Sequence, residues 1–222
     1  MLLSKGCCMS YWVYSDYNIV FDNEVVAGEF WCKLIKWCEV EQPEGVNWQG
    51  IWLGSIAIGA GIYEAEKYAE WKTDMACAGT ISDIELDGDT LSFTSSTKSE
   101  SDKRLWEEII GRYCKSAKVL YSSMGEDSAY LITNKDDYVG RYVVDIQDCD
   151  ELQCILEADE YDALNSIMNN DTYKDDVELK QLIEIARLFG YEEGDLEQFI
   201  EDASDNCICI SKWEYEKFCV KE

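Results

Sequence analysis

The sequence contains no histidine, one proline and no uninterrupted apolar run of about 18 residues. Without histidine, the chain has no His-based general acid or base, no Ser-His or Cys-His nucleophile, and none of the commonest transition-metal ligand. Without a long apolar run, we expect no membrane-spanning helix. We therefore expect a protein that is not an enzyme, although carboxylate-based or cysteine-based catalysis stays open as an alternative.

Basic residues are also scarce, since 19 Lys and Arg face 46 Asp and Glu, which gives a formal charge of −27. Hydrophobic residues nevertheless make up 47% of the chain and aromatic residues 13%. Such a composition supports a folded core and excludes a disordered acidic tail. Phosphate backbones and anionic membrane surfaces should repel this chain, whereas a basic protein surface should attract it.

Eleven cysteines are present, an odd number, and no two of them form a Cys-x-x-Cys pair. The N-terminal residues lack the apolar stretch of a secretory signal peptide. Cys207 and Cys209 lie on the same face of a predicted strand, as small apolar side chains do. We expect buried, reduced thiols in a cytoplasmic protein of a host cell, with a metal or redox site as the less favoured alternative.

Neither a metal nor a nucleotide is indicated by the acidic and glycine-rich segments. The acidic cluster that runs from Asp145 to Glu151 lacks the alternating ligands, central glycine and distant glutamate of an EF-hand. Gly54, Gly59 and Gly61 form neither a dinucleotide-binding nor a P-loop motif. Tryptophans are expected in the core, because stacking on bases needs basic neighbours. We predict no cofactor and no metal.

The first 146 residues alternate between strand and helix patterns. Residues 79–97 give the clearest signal, because two alternating runs flank Asp87-Gly88, a dipeptide that tolerates the backbone of a tight hairpin turn. An apolar stripe of Leu105, Ile109, Ile110 and Tyr113 follows, on a helix that Ser99 and Asp102 are expected to cap. Further strands are predicted over 11–21, 117–123, 129–134 and 139–146, and helices over 24–39 and 48–62.

The remaining residues have a more helical composition. Residues 175–190 are predicted to form one amphipathic helix that ends at Gly190, followed by a short helix and a last strand over 207–215. We predict an α+β fold with two parts. Residues 1–146 form a ferredoxin-like antiparallel sheet with helices on one face. Residues 147–222 form an acidic helical extension, packed on the same core, whose final strand returns to it.

Several motifs resemble the YubB ferredoxin-like proteins of phages and plasmids, including the related Api-type domain. The matching stretches are Tyr11-Trp12, WLGSIAI, GTISDIELDGDTLSF, the helix around Trp106, and a run carrying Tyr121, Gly125, Thr133, Asn134, Gly140 and Tyr142. The resemblance covers about residues 9–146. It implies a ferredoxin-like fold and a mobile-element setting, and it transfers no catalytic residues.

Negative charge is concentrated in the second half of the chain. Residues 1–120 carry 19 acidic and 11 basic residues, a net charge of −8, while residues 121–222 carry 27 and 8, a net charge of −19. Carboxylates three or four residues apart on a helix lie about 5–6 Å apart. Rows of them on neighbouring helices therefore offer a phosphate-like pattern to a groove that binds nucleic acid.

We predict that this acidic surface binds the nucleic-acid-binding groove of a basic host protein, such as a CRISPR or restriction nuclease, and that the protein is an anti-CRISPR or anti-restriction DNA mimic of phage origin. Tyr161, Phe189 and Tyr191 are candidate apolar anchors at its edge. The predicted partner-binding residues are Glu157, Asp159, Glu160, Asp162, Asp175, Asp176, Glu178, Glu192, Glu193, Asp195, Glu197, Glu201, Asp202 and Asp205.

Two other interpretations of the acidity stay open. In the first, the carboxylates form a solvated face that only keeps the protein soluble. In the second, the protein sequesters a small ligand or a host protein through a pocket under the sheet, and its charge is incidental. The dependence of binding on salt separates these interpretations from mimicry, because an interface built on charge weakens as ionic strength rises.

Overall fold

A computed structural model describes residues 12–71, 77–98, 100–125 and 131–220. The protein has a mixed α/β fold with eight α-helices and mostly antiparallel strands in this part of the chain. It divides into two compact units. Unit 1 comprises residues 1–126 and 217–222, and unit 2 comprises residues 127–216.

The described part of unit 1 contains five strands and four α-helices. The strands are β1 (Trp12–Val20), β2 (Ile51–Trp52), β3 (Gly79–Asp87), β4 (Thr90–Lys98) and β5 (Lys118–Gly125). The helices are α1 (Glu24–Cys38), α2 (Leu53–Gly59), α3 (Tyr68–Trp71) and α4 (Lys103–Tyr113). The strands lie in the order β5-β1-β4-β3-β2, and all four neighbouring pairs are antiparallel.

One face of this sheet is buried and the other is open. Along β1, Val13, Ser15, Tyr17 and Ile19 are buried, while the alternate residues are exposed or half-buried. This alternation follows from the two-residue period of a strand, and it places one set of side chains against the core. The predicted first strand is therefore confirmed, with an apolar inner face.

Helix α1 covers part of the buried region. The Asn23 side chain accepts hydrogen bonds from the backbone amides of Val25 and Val26, which caps the start of the helix. Ala27, Phe30, Leu34 and Trp37 then form its buried face. The helix predicted over 24–39 is confirmed to within one residue.

The hairpin of β3 and β4 turns where the sequence predicts it. Gly88 has φ of +57°, a conformation that glycine adopts without steric cost. The register shifts between Ser82 and Glu85, and Asp83 adopts φ of +51° at this bulge. Strand β2 pairs only with the first part of β3, so the rest of β3 is an edge to which another strand could add. The bulge and the charged Glu85 and Asp87 lie on that part of β3, where they hinder such pairing.

Helix α4 begins differently from the prediction. Asp102 precedes the first helical residue, but its side chain makes no capping hydrogen bond and is fully buried. Ser101 Oγ instead accepts a hydrogen bond from Lys103 N at 3.2 Å. Ser99 lies outside the described residues. The apolar stripe is confirmed for Leu105, Ile109 and Ile110, which are buried, whereas Tyr113 is partly exposed.

Residues 131–216 of unit 2 contain five strands and four α-helices. Its strands are β6 (Leu131–Thr133), β7 (Tyr142–Ile146), β8 (Tyr173–Val177), β9 (Ile208–Lys212) and β10 (Glu214–Tyr215). Its helices are α5 (Cys149–Ile155), α6 (Ala158–Ile167), α7 (Leu179–Leu188) and α8 (Leu196–Asp202). Strands β8, β7 and β9 form an antiparallel sheet in that order, and β6 pairs with β10 in parallel.

Unit 2 has a hydrophobic cluster of its own. Val144 of β7, Leu164 of α6, Leu182 of α7 and Phe199 of α8 are fully buried in it. Each helix therefore has one apolar face on a common core, as an amphipathic helix requires. Unit 2 is consequently built around a core of its own.

Several boundaries differ from those predicted in the sequence. The helix predicted over 48–62 covers only Leu53–Gly59, because Ile51–Trp52 pair with β3 as strand β2. The helix predicted over 175–190 begins only at Leu179, because residues 173–177 pair with β7 as an edge strand. It ends at Leu188, and Gly190 follows with φ of +82°, as the C-terminal glycine signal indicates. The predicted division after residue 146 places β7 with the first part, whereas the compact units separate at residue 126.

Most of the tryptophans lie where the composition predicts them, but the prediction of buried cysteines is wrong, because Cys77 is the one fully buried cysteine among the described residues. The nine cysteines of the described residues are free thiols. Trp37, Trp52, Trp71 and Trp106 are buried in unit 1. The last predicted strand, over 207–215, is two strands that are interrupted at Trp213.

Candidate protein-binding surface

Charge is unevenly divided between the two units. Unit 2 carries 25 acidic and 6 basic residues, a net charge of −19 over 90 residues. Unit 1 carries 21 acidic and 13 basic residues, a net charge of −8 over 132 residues. The negative potential of the protein is thus concentrated on a unit that has its own core.

Helix α6 presents the first group of predicted carboxylates. Glu157 and Glu160 form a capping box, in which Glu160 accepts a hydrogen bond from Glu157 N at 2.9 Å. These two side chains therefore stabilise the start of the helix. Asp159 and Asp162 are exposed and lie three residues apart on the same side of the helix. Their carboxylates are available to a partner.

The second group lies on α8 and the turn before it. Glu197 and Glu201 are exposed and four residues apart, so they share one face of α8. Asp202 differs, because it accepts hydrogen bonds from Tyr191 Oη at 3.0 Å and from Gln198 Nε2 at 2.9 Å. Glu197 and Glu201 are therefore the carboxylates that α8 offers to solvent.

Helix α7 packs against both α6 and α8 and has a mixed outer face. Lys180 and Arg187 are exposed there, and Glu184 is half-buried. Lys180 pairs with Glu184 at 3.9 Å, and Arg187 pairs with Glu193 at 3.8 Å. The acidic surface is therefore not continuous across these three helices, and its strongest parts are α6 and α8.

The predicted helical row of Asp175, Asp176 and Glu178 is wrong as a row. Asp175 and Asp176 lie on strand β8, at the point where its register with β7 shifts, so the spacing of a helix does not apply to them. Glu178 is the N-cap of α7, forms a capping box with Gln181, and makes an ion pair with Arg141. The strand forms because Tyr173, Lys174 and Val177 pair with β7, a long-range contact that helical periodicity does not report.

Nine of the fourteen predicted carboxylates make no hydrogen bond or ion pair with a side chain in the described part of the protein. They are Asp159, Asp162, Asp175, Asp176, Glu192, Asp195, Glu197, Glu201 and Asp205. The other five have the local capping, hydrogen-bond or ion-pair partners given above. The Glu-x-x-Glu and Glu-x-x-Gln spacings that mark the two capping boxes were present in the sequence.

The pKa values of two tyrosines in unit 2 are raised. A hydrogen bond to the Asp202 carboxylate raises the pKa of Tyr191, with a smaller contribution from Asp205. Partial burial, followed by the charges of Asp175 and Asp145, raises the pKa of Tyr173 to about 12. The hydrogen bond and burial are the largest causes of the two shifts, and nearby carboxylates add to both.

The three aromatic side chains predicted as anchors are half-buried in unit 2. Phe189 stacks on Phe199 with ring centroids 5.7 Å apart, and Tyr191 contacts the same ring at 5.3 Å. Tyr161 also packs against the core cluster. These side chains therefore stabilise the core, and only their outer edges can reach a partner.

A surface groove of about 560 Å³ lies along the outer face of α1. It is lined by Val25, Gly28, Glu29, Cys32, Lys33 and Lys36. All six belong to the face of the helix that points away from the buried residues of α1. This groove is not the pocket under the sheet that the ligand-sequestering interpretation requires.

Comparisons with protein-family models, curated proteins and solved structures found no match for this chain. Among the described residues, no three Cys, Asp or Glu side chains lie close enough together to hold a metal ion. No helix in the same residues has the length and apolarity needed to cross a membrane. Function must therefore be inferred from the charge, exposure and contacts of unit 2.

Proposed function

We propose that unit 2 is a non-enzymatic binding module that occupies the basic, nucleic-acid-binding groove of another protein and thereby inhibits it. The observation that carries this proposal is the set of nine unpaired carboxylates on a unit with 25 acidic and 6 basic residues. Keeping this many like charges on one folded unit costs stability through self-repulsion. Binding to a basic partner surface offsets this repulsion, because the carboxylates are then attracted to opposite charges.

The spacing of the carboxylates supports mimicry of nucleic acid. Asp159 with Asp162, and Glu197 with Glu201, have the helical spacings that place side chains about 5–6 Å apart. Duplex DNA carries about one charge per 1.7 Å of its axis, divided between two strands. Arginine and lysine side chains that are already arranged for phosphates can bind such carboxylates without rearrangement. Lys180 and Arg187 of α7 would repel the same groove, so we assign the contact to the α6 and α8 sides.

Unit 1 is proposed to be a ferredoxin-like domain of the YubB type with one added strand. The order β5-β1-β4-β3, with α1 after β1 and α4 after β4, supports this proposal, because it is the order of a split β-α-β arrangement. Strand β2 then extends the edge of β3. With the resemblance of the sequence motifs, this supports a phage or plasmid origin, and a host defence nuclease in the host cytoplasm as the partner.

The test compares two variants of equal net charge. In the first, Asp159→Asn, Asp162→Asn, Glu197→Gln and Glu201→Gln remove four unpaired carboxylates from unit 2. In the second, Glu41→Gln, Glu44→Gln, Glu66→Gln and Glu70→Gln remove four exposed carboxylates from unit 1. Both variants carry −23, so a nonspecific effect of charge alters both equally.

We expect only the first variant to lose affinity for basic proteins that the wild-type chain captures from a host lysate at low salt. At about 0.2–1 kcal/mol for each exposed ion pair, four substitutions weaken binding by about 1–4 kcal/mol, at least about fivefold. Equal losses for both variants would show that the acidity acts only through net charge. Unchanged binding of the first variant would exclude α6 and α8 as the interface.

A further inference from the structure

The last described residues of the chain return to unit 1. Residues 127–216 form unit 2, but residues 217–222 belong to unit 1. Unit 2 is thus an insertion in unit 1, with one chain connection at residue 126 and a second at residue 217. The contacts that hold the C-terminal segment on unit 1 therefore also fix the position of the connection at residue 217.

Phe218 supplies the apolar part of this attachment. Its side chain is only 8% exposed, and its ring packs edge-on against Tyr121 of β5 with centroids 5.9 Å apart. Burial of a phenylalanine side chain is a substantial apolar contact for a segment of four described residues. The neighbouring Lys217 and Cys219 are exposed, so Phe218 is the side chain that anchors the segment.

Glu107 supplies the polar part. Its side chain accepts a hydrogen bond from Cys219 N at 2.7 Å, and it pairs with Lys103 Nζ at 3.3 Å. Glu107 is 8% exposed, although it lies in the middle of α4 and carries a charge. Burial of a carboxylate is unfavourable unless it is paired and hydrogen-bonded. The Cys219 amide is one of the two groups that satisfy it.

We propose that residues 217–220 form a clasp on unit 1, closed by Phe218 on Tyr121 and by the Cys219 amide on Glu107, which opens without unfolding the sheet. The clasp depends on one aromatic contact and one hydrogen bond, whereas the sheet is held by four antiparallel strand pairs. Segments with so few contacts open locally, at a lower free energy than global unfolding. Opening frees residues 217–220 from β5 and α4 of unit 1.

Amide hydrogen exchange at Cys219 tests the clasp in the full-length chain. A hydrogen bond to a charged acceptor slows exchange by roughly 10- to 100-fold. We expect Glu107→Ala to abolish this protection at Cys219 while the amides of Tyr17 and Phe93 in the sheet stay protected. The matched control is Glu108→Ala, because Glu108 pairs with Arg112 on the exposed side of the same helix and does not contact the tail.

Three outcomes would overturn the proposal. They are an unprotected Cys219 amide in the wild-type chain, unchanged exchange in Glu107→Ala, and equal effects of the two substitutions. If Glu107→Ala does not fold, exchange of the wild-type chain in low concentrations of urea gives the answer. Exchange at Cys219 that is independent of urea indicates local opening, whereas the same dependence as the sheet amides contradicts it. Neither measurement depends on what unit 2 binds.

Discussion

Replacement of Asp102 should reveal how unit 1 tolerates a carboxylate in its core. Asp102 is fully buried, and its oxygens accept three hydrogen bonds, from Tyr17 Oη at 2.8 Å, Ser95 Oγ at 3.0 Å and Trp106 Nε1 at 2.7 Å. The side chain therefore ties β1, β4 and α4 together. Asp102→Ala removes the acceptor and leaves three donors without a partner.

The expected size of the effect follows from those donors. A buried donor that loses its partner costs about 1–3 kcal/mol, so three of them cost about 3–9 kcal/mol. Reorientation of the Ser95 hydroxyl and removal of a buried charge reduce this cost. We expect Asp102→Ala to lower the free energy of unfolding of unit 1 by about 3 kcal/mol or more.

Asp102→Asn should behave differently, because an amide retains an oxygen for Trp106 and gains an N–H for the oxygen of Tyr17 or Ser95. We expect a change within about 1 kcal/mol at acidic pH. Burial raises the pKa of Asp102 above its ordinary value of 3.8. The stability that this carboxyl contributes is present below pH 3.8 and is lost as the pH rises through the higher folded-state pKa. The Asn variant should therefore gain stability relative to the wild type as the pH approaches neutrality.

Urea denaturation followed by tryptophan fluorescence measures these differences, since Trp106 contacts the substituted side chain. The reasoning is refuted if Asp102→Ala is as stable as Asp102→Asn, because unsatisfied donors then carry no cost. It is also refuted if the Asn variant loses stability relative to the wild type between acidic and neutral pH, since the charged form would then be the favoured one in the fold.

Three further predictions concern local structure. Gly79→Ala should severely destabilise the hairpin of β3 and β4, because an added Cβ would lie 2.1 Å from Ser96 O. Its control is Gly28→Ala in α1, where an added Cβ meets no neighbour; this variant should be about 1 kcal/mol more stable than the wild type in thermal unfolding. Asn23→Ala should lower the stability of unit 1 by about 1 kcal/mol in urea, because two amides lose their cap. In a spectrophotometric titration, the Tyr173→Phe variant should lack the ionisation step that Tyr173 contributes near pH 12. Because the pKa of Tyr173 is raised in the folded state, the stability that this phenol contributes in the wild type should be lost as the pH rises from about 10 to 12.

The sequence correctly predicted the turns and helices that depend on interactions between neighbouring residues. The Asp87-Gly88 turn and the apolar face of α1 each depend on a few neighbouring residues, and both are present at their predicted positions. Gly190 likewise marks the end of α7. Such signals are reliable because steric limits on the backbone and the period of a helix act within one or two turns.

Features that depend on distant partners were not predictable in the same way. Residues 175–177 were predicted as the start of a helix and belong instead to strand β8, because the pairing of this strand with β7 outweighs helical periodicity. The burial of Asp102 arises where two strands and a helix converge, and nothing in its immediate neighbours indicates it. The separation at residue 126 also required the long-range contacts of both units.

The sequence predicted how much negative charge the second half of the chain carries, but the arrangement of the carboxylates required the structure. The excess of negative charge in the second half was evident from the sequence. The capping roles of Glu157 and Glu178, and the cations on the outer face of α7, became evident only from the helix boundaries. The candidate interface is therefore narrower than the fourteen residues first predicted.

Competition with DNA tests the central claim most directly. A basic nucleic-acid-binding protein that the chain captures at low salt is immobilised, and binding of the wild-type chain is measured with increasing duplex DNA and, separately, increasing sodium chloride. We predict mutually exclusive binding of the chain and DNA, and an affinity that falls steeply with salt. Simultaneous binding of both, with an affinity that salt does not change, would contradict the claim that unit 2 acts as a mimic of nucleic acid.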